Sequence, residues 1–237
     1  AAAVLVIERW AKQRQLCPFE LGLDLSLWCD AVICDYNYLF DPIVYLRRFF
    51  DRRDRYAFLI DEAHNLVDRA RGMYSAALRK SDFLACKKLA DEVSKPLSKA
   101  LMAVNRQMLS LRKQIAQDTQ QEQEHFMTAH TLPEPLLQSL RHLFTVYSTT
   151  LEQNRRLPLQ PSLFSSAHSL APELMQLYFD LRFFLRIADL FDERFCFFAA
   201  ASGSQLTVKL LCLDPAQMVD ERLKLGRCTA LFSATLS

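Results

Sequence analysis

A chain of 237 residues with 51% hydrophobic and 24% charged side chains has the composition of a globular protein, enough for one large domain or two small ones. Its net charge of +2 excludes a polyelectrolyte field over the whole surface but leaves room for a local basic groove. No apolar run reaches the roughly 18 residues of a membrane-spanning helix, and the opening AAAVLVI lacks the basic flank and cleavage site of a signal peptide.

Seven cysteines, odd in number and irregularly spaced, do not form a secreted disulfide framework and suit a reducing cytosol. Cys29, Cys34, Cys196, Cys212 and Cys228 lie in apolar contexts and are expected to be small buried hydrophobes. The chain lacks an initiator methionine and reads as an internal piece of a longer protein.

Residues 1–16 predict a helix, and Cys17-Pro18-Phe19-Glu20 breaks it and starts another. DAVICDYNYLFDP (30–42) opens as a β-branched strand and closes on Asp41-Pro42. YAFLI (56–60) predicts a second strand, and the two apolar runs suit a parallel sheet covered on both faces. From about residue 74 the pattern turns helical. Leu97, Leu101, Val104, Met108, Leu111 and Ile115 recur in steps of four and three, as do Leu137, Leu140, Phe144, Tyr147 and Leu151. That repeat of about 3.5 residues predicts antiparallel, coiled-coil-like packing in a unit that folds by itself between residues 72 and 194. A third helix after Pro172 carries Leu174, Leu177, Leu181, Phe184 and Leu185. QDTQQEQEH and RRLPLQPSLFSS, between the helices, read as exposed loops or helix tips. FCFFAAASGSQLTVKLLCLDP (195–215) then predicts a hairpin turning at Ser202-Gly203-Ser204, and the chain ends on CTALFSATLS. The fold class is α/β with a helical majority, a sheet-forming domain interrupted by a long helical block.

The chemistry gathers at AFLIDEAHNLVDRA (57–70). A strand that ends on Asp61-Glu62 places two like charges together, which is costly unless a cation or proton lies between them. The plain reading is a helix N-cap with a first-turn charge. The later run ending in Ser233-Ala234-Thr235 favours another. One acid at a strand end holds Mg²⁺, its neighbour positions an attacking water, and hydroxyls on an adjacent strand end sense the same phosphates.

These residues resemble motif II (the DEAH box) and motif III (S-A-T) of superfamily 2 helicases. CPFELGLDLSLWCDAVICDYNYLFDP, LIDEAHNL, LCLDP and LFSATLS, in that order, resemble the XPD/DinG-like branch of iron–sulfur DNA helicases. The continuation DEAHNLVDRAR leans toward its bacterial DinG-like members. The resemblance implies a partial RecA-like P-loop NTPase motor lobe with a large all-α insertion, the Arch. It divides the chain into the end of an iron–sulfur cluster domain (1–26), part of motor lobe one with the DEAH box (27–72), the helical Arch (73–194), and the return of lobe one with the hairpin and S-A-T (195–237).

By the same resemblance, Asp61 binds the Mg²⁺ of ATP and Glu62 orients or deprotonates the water. His64 links the nucleotide site to Ser233 and Thr235, which couple hydrolysis to strand movement. Cys17 corresponds to the last of four cysteines holding a [4Fe–4S] cluster, while Cys29 and Cys34 fall on the wrong side of that block to supply the others. Single-stranded DNA is the implied partner, threaded through a pore and moved 5′ to 3′, in a monomeric, cytoplasmic, nucleoid-associated enzyme of replication or repair. The tract DYNYLFDPIVYLRRFFDRRDR mixes aromatic and cationic side chains, the pairing a single-strand path uses, and offers Tyr36, Tyr38, Arg47 and Arg48 as contacts. No Gly-Lys-Thr/Ser phosphate loop is present, nor three further cluster cysteines, so the chain alone is expected to be inactive. The competing reading is non-catalytic: a helical protein-docking module with a degenerate D-E-A-H region.

Overall fold

A computed structural model describes residues 2–118, 125–156 and 171–234. The chain divides into two compact units, Ala1–Tyr38 and Leu39–Ser237.

In the first unit, α1 (Ala2–Arg14) ends where Gln15 turns left-handed (φ 54°) and Leu16 N–H donates back to the Ala11 carbonyl at 2.9 Å. Extended Cys17 and then Pro18, whose missing N–H costs nothing in a first turn, open α2 (Pro18–Ser26). The strand expected from residue 30 does not form. Residues 31–35 have no regular structure, and Val32 and Ile33 are exposed. β-branched residues favour a strand only where a partner ladder accepts their hydrogen bonds, and none of the described residues pairs with this segment. Cys29 and Cys34 are exposed with it, as is Cys228 later in the chain; of the five cysteines expected inside, Cys212 is buried and Cys196 half-buried. Asp35 Oδ1 accepts the Asn37 N–H at 3.1 Å as the chain enters α3 (Asn37–Phe40), which runs into the second unit.

There Asp41 Oδ1 accepts the N–H groups of Ile43 (2.7 Å) and Val44 (2.8 Å), an Asx turn that stops the segment. After α4 (Arg47–Phe50), β1 (Ala57–Ile60) pairs in parallel with β6 (Cys228–Leu231). Phe50, Tyr56 and Phe58 pack ring on ring at 5.6–6.1 Å. Gly226 lets the approach to β6 close on them, since a Cβ there would sit 2.7 Å from the Phe58 ring. This two-stranded sheet buries Phe58 and Ile60 but leaves Leu59 73% exposed, so among the described residues it is covered on one face, not two.

Between these strands run α5 (Leu66–Met73), β2 (Ala76–Arg79), α6 (Lys80–Val93), α7 (Lys95–Asp118), β3 (His125–Ala129), α8 (Glu134–Arg156), α9 (Pro172–Ala188), β4 (Phe195–Ser202), β5 (Gln205–Cys212) and α10 (Ala216–Leu223). The expected helical faces are where the spacing puts them: Leu97, Leu101, Val104, Met108, Ile115, Leu140, Tyr147, Leu174 and Leu181 are fully buried in one core. Tyr147 O–H donates to the Leu174 carbonyl at 2.9 Å, so this deep phenol is satisfied, and burial raises its pKa. Most of QDTQQEQEH and RRLPLQPSLFSS falls outside the described residues.

The insertion is not all-α. β2 and β3 lie within it, and they flank the predicted hairpin in an antiparallel sheet of order β2-β5-β4-β3. Gly203 (φ 55°) makes the hairpin turn. Phe195, Phe197, Leu206, Val208 and Leu210 point into the helical core at 0–1% exposure, so β4 and β5 join the sheet of the insertion and not β1 and β6. No helix among the described residues is long and apolar enough to cross a membrane.

Candidate functional site

Parallel pairing sets Ile60 beside Leu231, so Asp61-Glu62 and Phe232-Ser233 leave the sheet at the same end. Loops at the carboxyl ends of parallel strands are where α/β proteins hold ligands. The ladder continues past the strands. Phe232 N–H donates to the Ile60 carbonyl, and Ala63 N–H donates to the Phe232 carbonyl, both at 3.0 Å. The acidic loop is therefore fastened by its backbone to the loop that starts the S-A-T run.

Glu62 adopts φ 51°, ψ 41°. This left-handed conformation costs a residue with a Cβ about 1–2 kcal/mol. Two hydrogen bonds hold it: the Ala63–Phe232 bond, and the Glu62 N–H donating to Asp61 Oδ1 at 2.7 Å. The reversal starts a 3₁₀ turn at Ala63–Asn65 and swings His64 back over the loop. His64 Nδ1 lies 2.7 Å from Ser233 Oγ and 3.3 Å from Glu62 Oε2. With His64 38% and Glu62 55% exposed, the cluster is open to a ligand from solvent.

Chemically, two carboxylates at an open loop supply the hard oxygen donors that Mg²⁺ prefers. An imidazole between a carboxylate and a hydroxyl can pass a change at one to the other, because the tautomer that donates to Ser233 cannot also donate from that nitrogen to Glu62. The donor set fits the acid-and-water half of an Mg–ATP site. The half that cradles phosphates would need a glycine-rich loop, which this sequence does not contain.

The other expected site residues are dispersed. Thr235 lies outside the described residues. Cys17 is exposed at the start of α2, and among the described residues no group of three or more His, Cys, Asp or Glu side chains is placed to hold a metal. These residues offer one thiolate to a cluster that requires four, so they do not complete one. Tyr36 and Tyr38 belong to the first unit, where Tyr38 stacks on Phe19 at 6.3 Å. Arg47 and Arg48 lie on α4 in the second unit, and the Arg47 guanidinium stands 5.8 Å from the centre of the Tyr45 ring. LCLDP has a local role: Asp214 Oδ1 accepts the Ala216 N–H at 2.9 Å and opens α10. Arg141, Arg182 and Arg186 belong to no motif, and the fold brings them to the same pocket as Arg47. Their only signal in the sequence is the i,i+4 spacing of Arg182 and Arg186.

Residues 3–83, a stretch that includes Cys17, Asp61, Glu62 and His64, match the family model DEAD_2. Over 80 residues, 34% of this chain, the sequence is 32% identical to the Fanconi anemia group J protein homolog of Gallus gallus. The match spans 6% of that protein's length. The solved structure of S. tokodaii Xpd4 aligns with 85% of this chain and 39% of its own, at 16% identity and a TM-score of 0.46, a likeness too low to speak to fold.

Proposed function

We propose that this chain is part of an ATP-dependent DNA helicase, holding the acid-and-water half of its nucleotide site. The observation that carries this reading is the bridge from Glu62 through His64 to Ser233 across the ends of β1 and β6. The DEAD_2 match over the stretch bearing Glu62 and His64 supports it. Bound Mg²⁺–ATP would supply the phosphoanhydride to be cleaved, and its metal the positive charge that offsets the repulsion between Asp61 and Glu62. Asp61 would face the metal, and Glu62 would orient the water and take its proton. His64 would report the state of Glu62 to Ser233 and, through the S-A-T loop, to Thr235.

The finer reading places this polypeptide in the iron–sulfur branch, moving 5′ to 3′ along single-stranded DNA in replication or repair, as a cytoplasmic, nucleoid-associated monomer. The DEAHNLVDRAR continuation supports the DinG-like bacterial members. In this scheme residues 1–26 close a cluster domain, 27–72 and the return through β6 contribute to motor lobe one, and residues 73–194, joined by β4 and β5, form the Arch, a surface for protein partners. Tyr36, Tyr38, Arg47 and Arg48 would touch the strand.

The test is ATP turnover by the full-length protein, with and without single-stranded DNA, in the presence of Mg²⁺. Turnover that rises with the strand is expected. Absence of turnover in a folded protein would favour the docking module. Cys17 is proposed as one cluster ligand, the other three coming from elsewhere in the protein. Cys17→Ser is then expected to remove iron and unwinding while sparing most ATP turnover, because a neutral alcohol does not replace a thiolate. Unchanged iron by metal analysis would leave Cys17 a simple surface thiol.

A further inference from the structure

Within the second unit the insertion is joined to the rest of the chain at two crossings. The chain leaves through Tyr74 and Ser75, between α5 and β2, and returns through Leu213, Asp214 and Pro215, between β5 and α10. One hydroxyl closes the two crossings on each other. Ser75 Oγ donates to the Arg71 carbonyl at 2.7 Å and accepts the N–H of buried Cys212 at 3.0 Å. The first bond satisfies a carbonyl that the end of α5 leaves open, and the second ties that end to β5. Arg71 adds another tie. Its Nε donates to the Leu213 carbonyl at 3.2 Å while its Nη1 donates to Asp68 Oδ1 at 3.1 Å. The Leu213 N–H in turn donates to the Arg194 carbonyl at 2.8 Å, at the foot of β4. Hydrogen bonds therefore run from β4 and β5 into α5, and Tyr74, 3% exposed, anchors the exit crossing in the core.

At its other end α5 carries the acidic loop. The 3₁₀ turn that swings His64 over ends at Asn65, and α5 starts at Leu66. Eight residues at about 1.5 Å each make α5 a rod of about 12 Å, with Asp61-Glu62 before one end and this clasp at the other. The return crossing leads through α10 and β6 to Ser233. The two loops of the cluster are thus joined twice. One joint is the cluster itself, through His64–Ser233 and the Ala63–Phe232 bond. The other is the clasp, through Ser75–Cys212 and Arg71–Leu213. Packed elements shift as bodies and do not stretch, so such a frame passes a displacement at one joint to the other. We propose that Ser75 and Arg71 are positioning residues through which the sheet of the insertion sets the Asp61–Glu62 loop against Ser233, and with it the rate of hydrolysis. This deepens the hydrolytic reading of the cluster and rests on it.

Two measurements on the full-length protein test this: amide hydrogen exchange without nucleotide, and ATP turnover at saturating strand well below the melting temperature. In Ser75→Ala, the segments bearing Ala63 and Phe232 are expected to exchange about tenfold faster, the change in an opening equilibrium that one buried hydrogen bond commands. Turnover should show kcat lowered about tenfold with KM for ATP within about twofold, since the clasp stands a helix length from the nucleotide. Ser75→Thr keeps the hydroxyl and should restore both readouts. Arg71→Met removes an exposed side chain's tie to Leu213 without threatening the fold, and should move both in the same direction as Ser75→Ala. Faster exchange confined to the segments bearing Ser75 and Cys212, with the two loops and kcat unaltered, overturns the proposal and leaves the clasp a local fastening. A rise in KM at constant kcat also overturns it. Exchange needs no turnover, so a folded protein without ATPase activity refutes the hydrolytic reading while the exchange of the two loops still decides whether the clasp positions them.

Discussion

Glu62→Gln in the full-length protein is expected to lower strand-stimulated ATP turnover by about 10²–10⁴-fold, the range a positioned general base commands, without disturbing the fold. Glutamine keeps the size of the side chain and its reach toward His64, now 3.3 Å from the carboxylate, but gives up the ability to take a proton. Asp61→Asn should fail to a similar degree for a different reason. It would remove the charge proposed to face the metal, a contribution of several kcal/mol. The hydrogen bond that holds the left-handed Glu62, from its N–H to Asp61 Oδ1 at 2.7 Å, can be kept by an amide oxygen. Both substitutions therefore spare the backbone of the turn, and any loss reads as chemistry. Phosphate release at saturating Mg²⁺–ATP, alongside a melting curve, decides the matter. Turnover like that of the unaltered protein in either variant would remove these two residues from the hydrolytic role.

The same loop shows what a sequence conveys and what it withholds. D-E-A-H was legible as a motif because its residue types carry chemistry wherever they stand. The left-handed turn at Glu62 was not, because glutamate has no local preference for it; the carbonyl of Phe232, far along the chain, imposes it. The buried faces of α7, α8 and α9 were legible because they repeat within one segment. β2 and β3 were not. AALR and HFMTA are short and weakly β-forming, and only β5 and β4, arriving later in the chain, make strands of them. The converse failure is at Val32 and Ile33, strong strand formers with no ladder to join among the described residues. The arginine pocket was invisible for a related reason. Arg47, Arg141 and Arg182 stand on three separate helices, and tertiary packing alone brings them to one wall.

That dependence on β4 and β5 sets where the insertion can be cut. A fragment of residues 72–214 is expected to melt cooperatively, and one of residues 72–194 is not. The shorter piece keeps every helix of the 3.5-residue pattern but loses both central strands. β2 and β3 are the two edges of the sheet and do not pair with each other, so each loses its whole ladder. Phe195, Phe197, Leu206, Val208 and Leu210 leave the core with the strands. At about 1.5–3 kcal/mol for each fully buried side chain, their loss is comparable to the entire net stability of a domain, about 5–15 kcal/mol. The helices can still collapse on Leu101, Met108, Leu140 and Leu181, so far-UV circular dichroism of the shorter fragment should remain helical while its melt turns broad, the signature of secondary structure without fixed packing. A sharp melt of residues 72–194 would mean that the helical faces sustain the unit unaided, and that the sheet is an accessory to it.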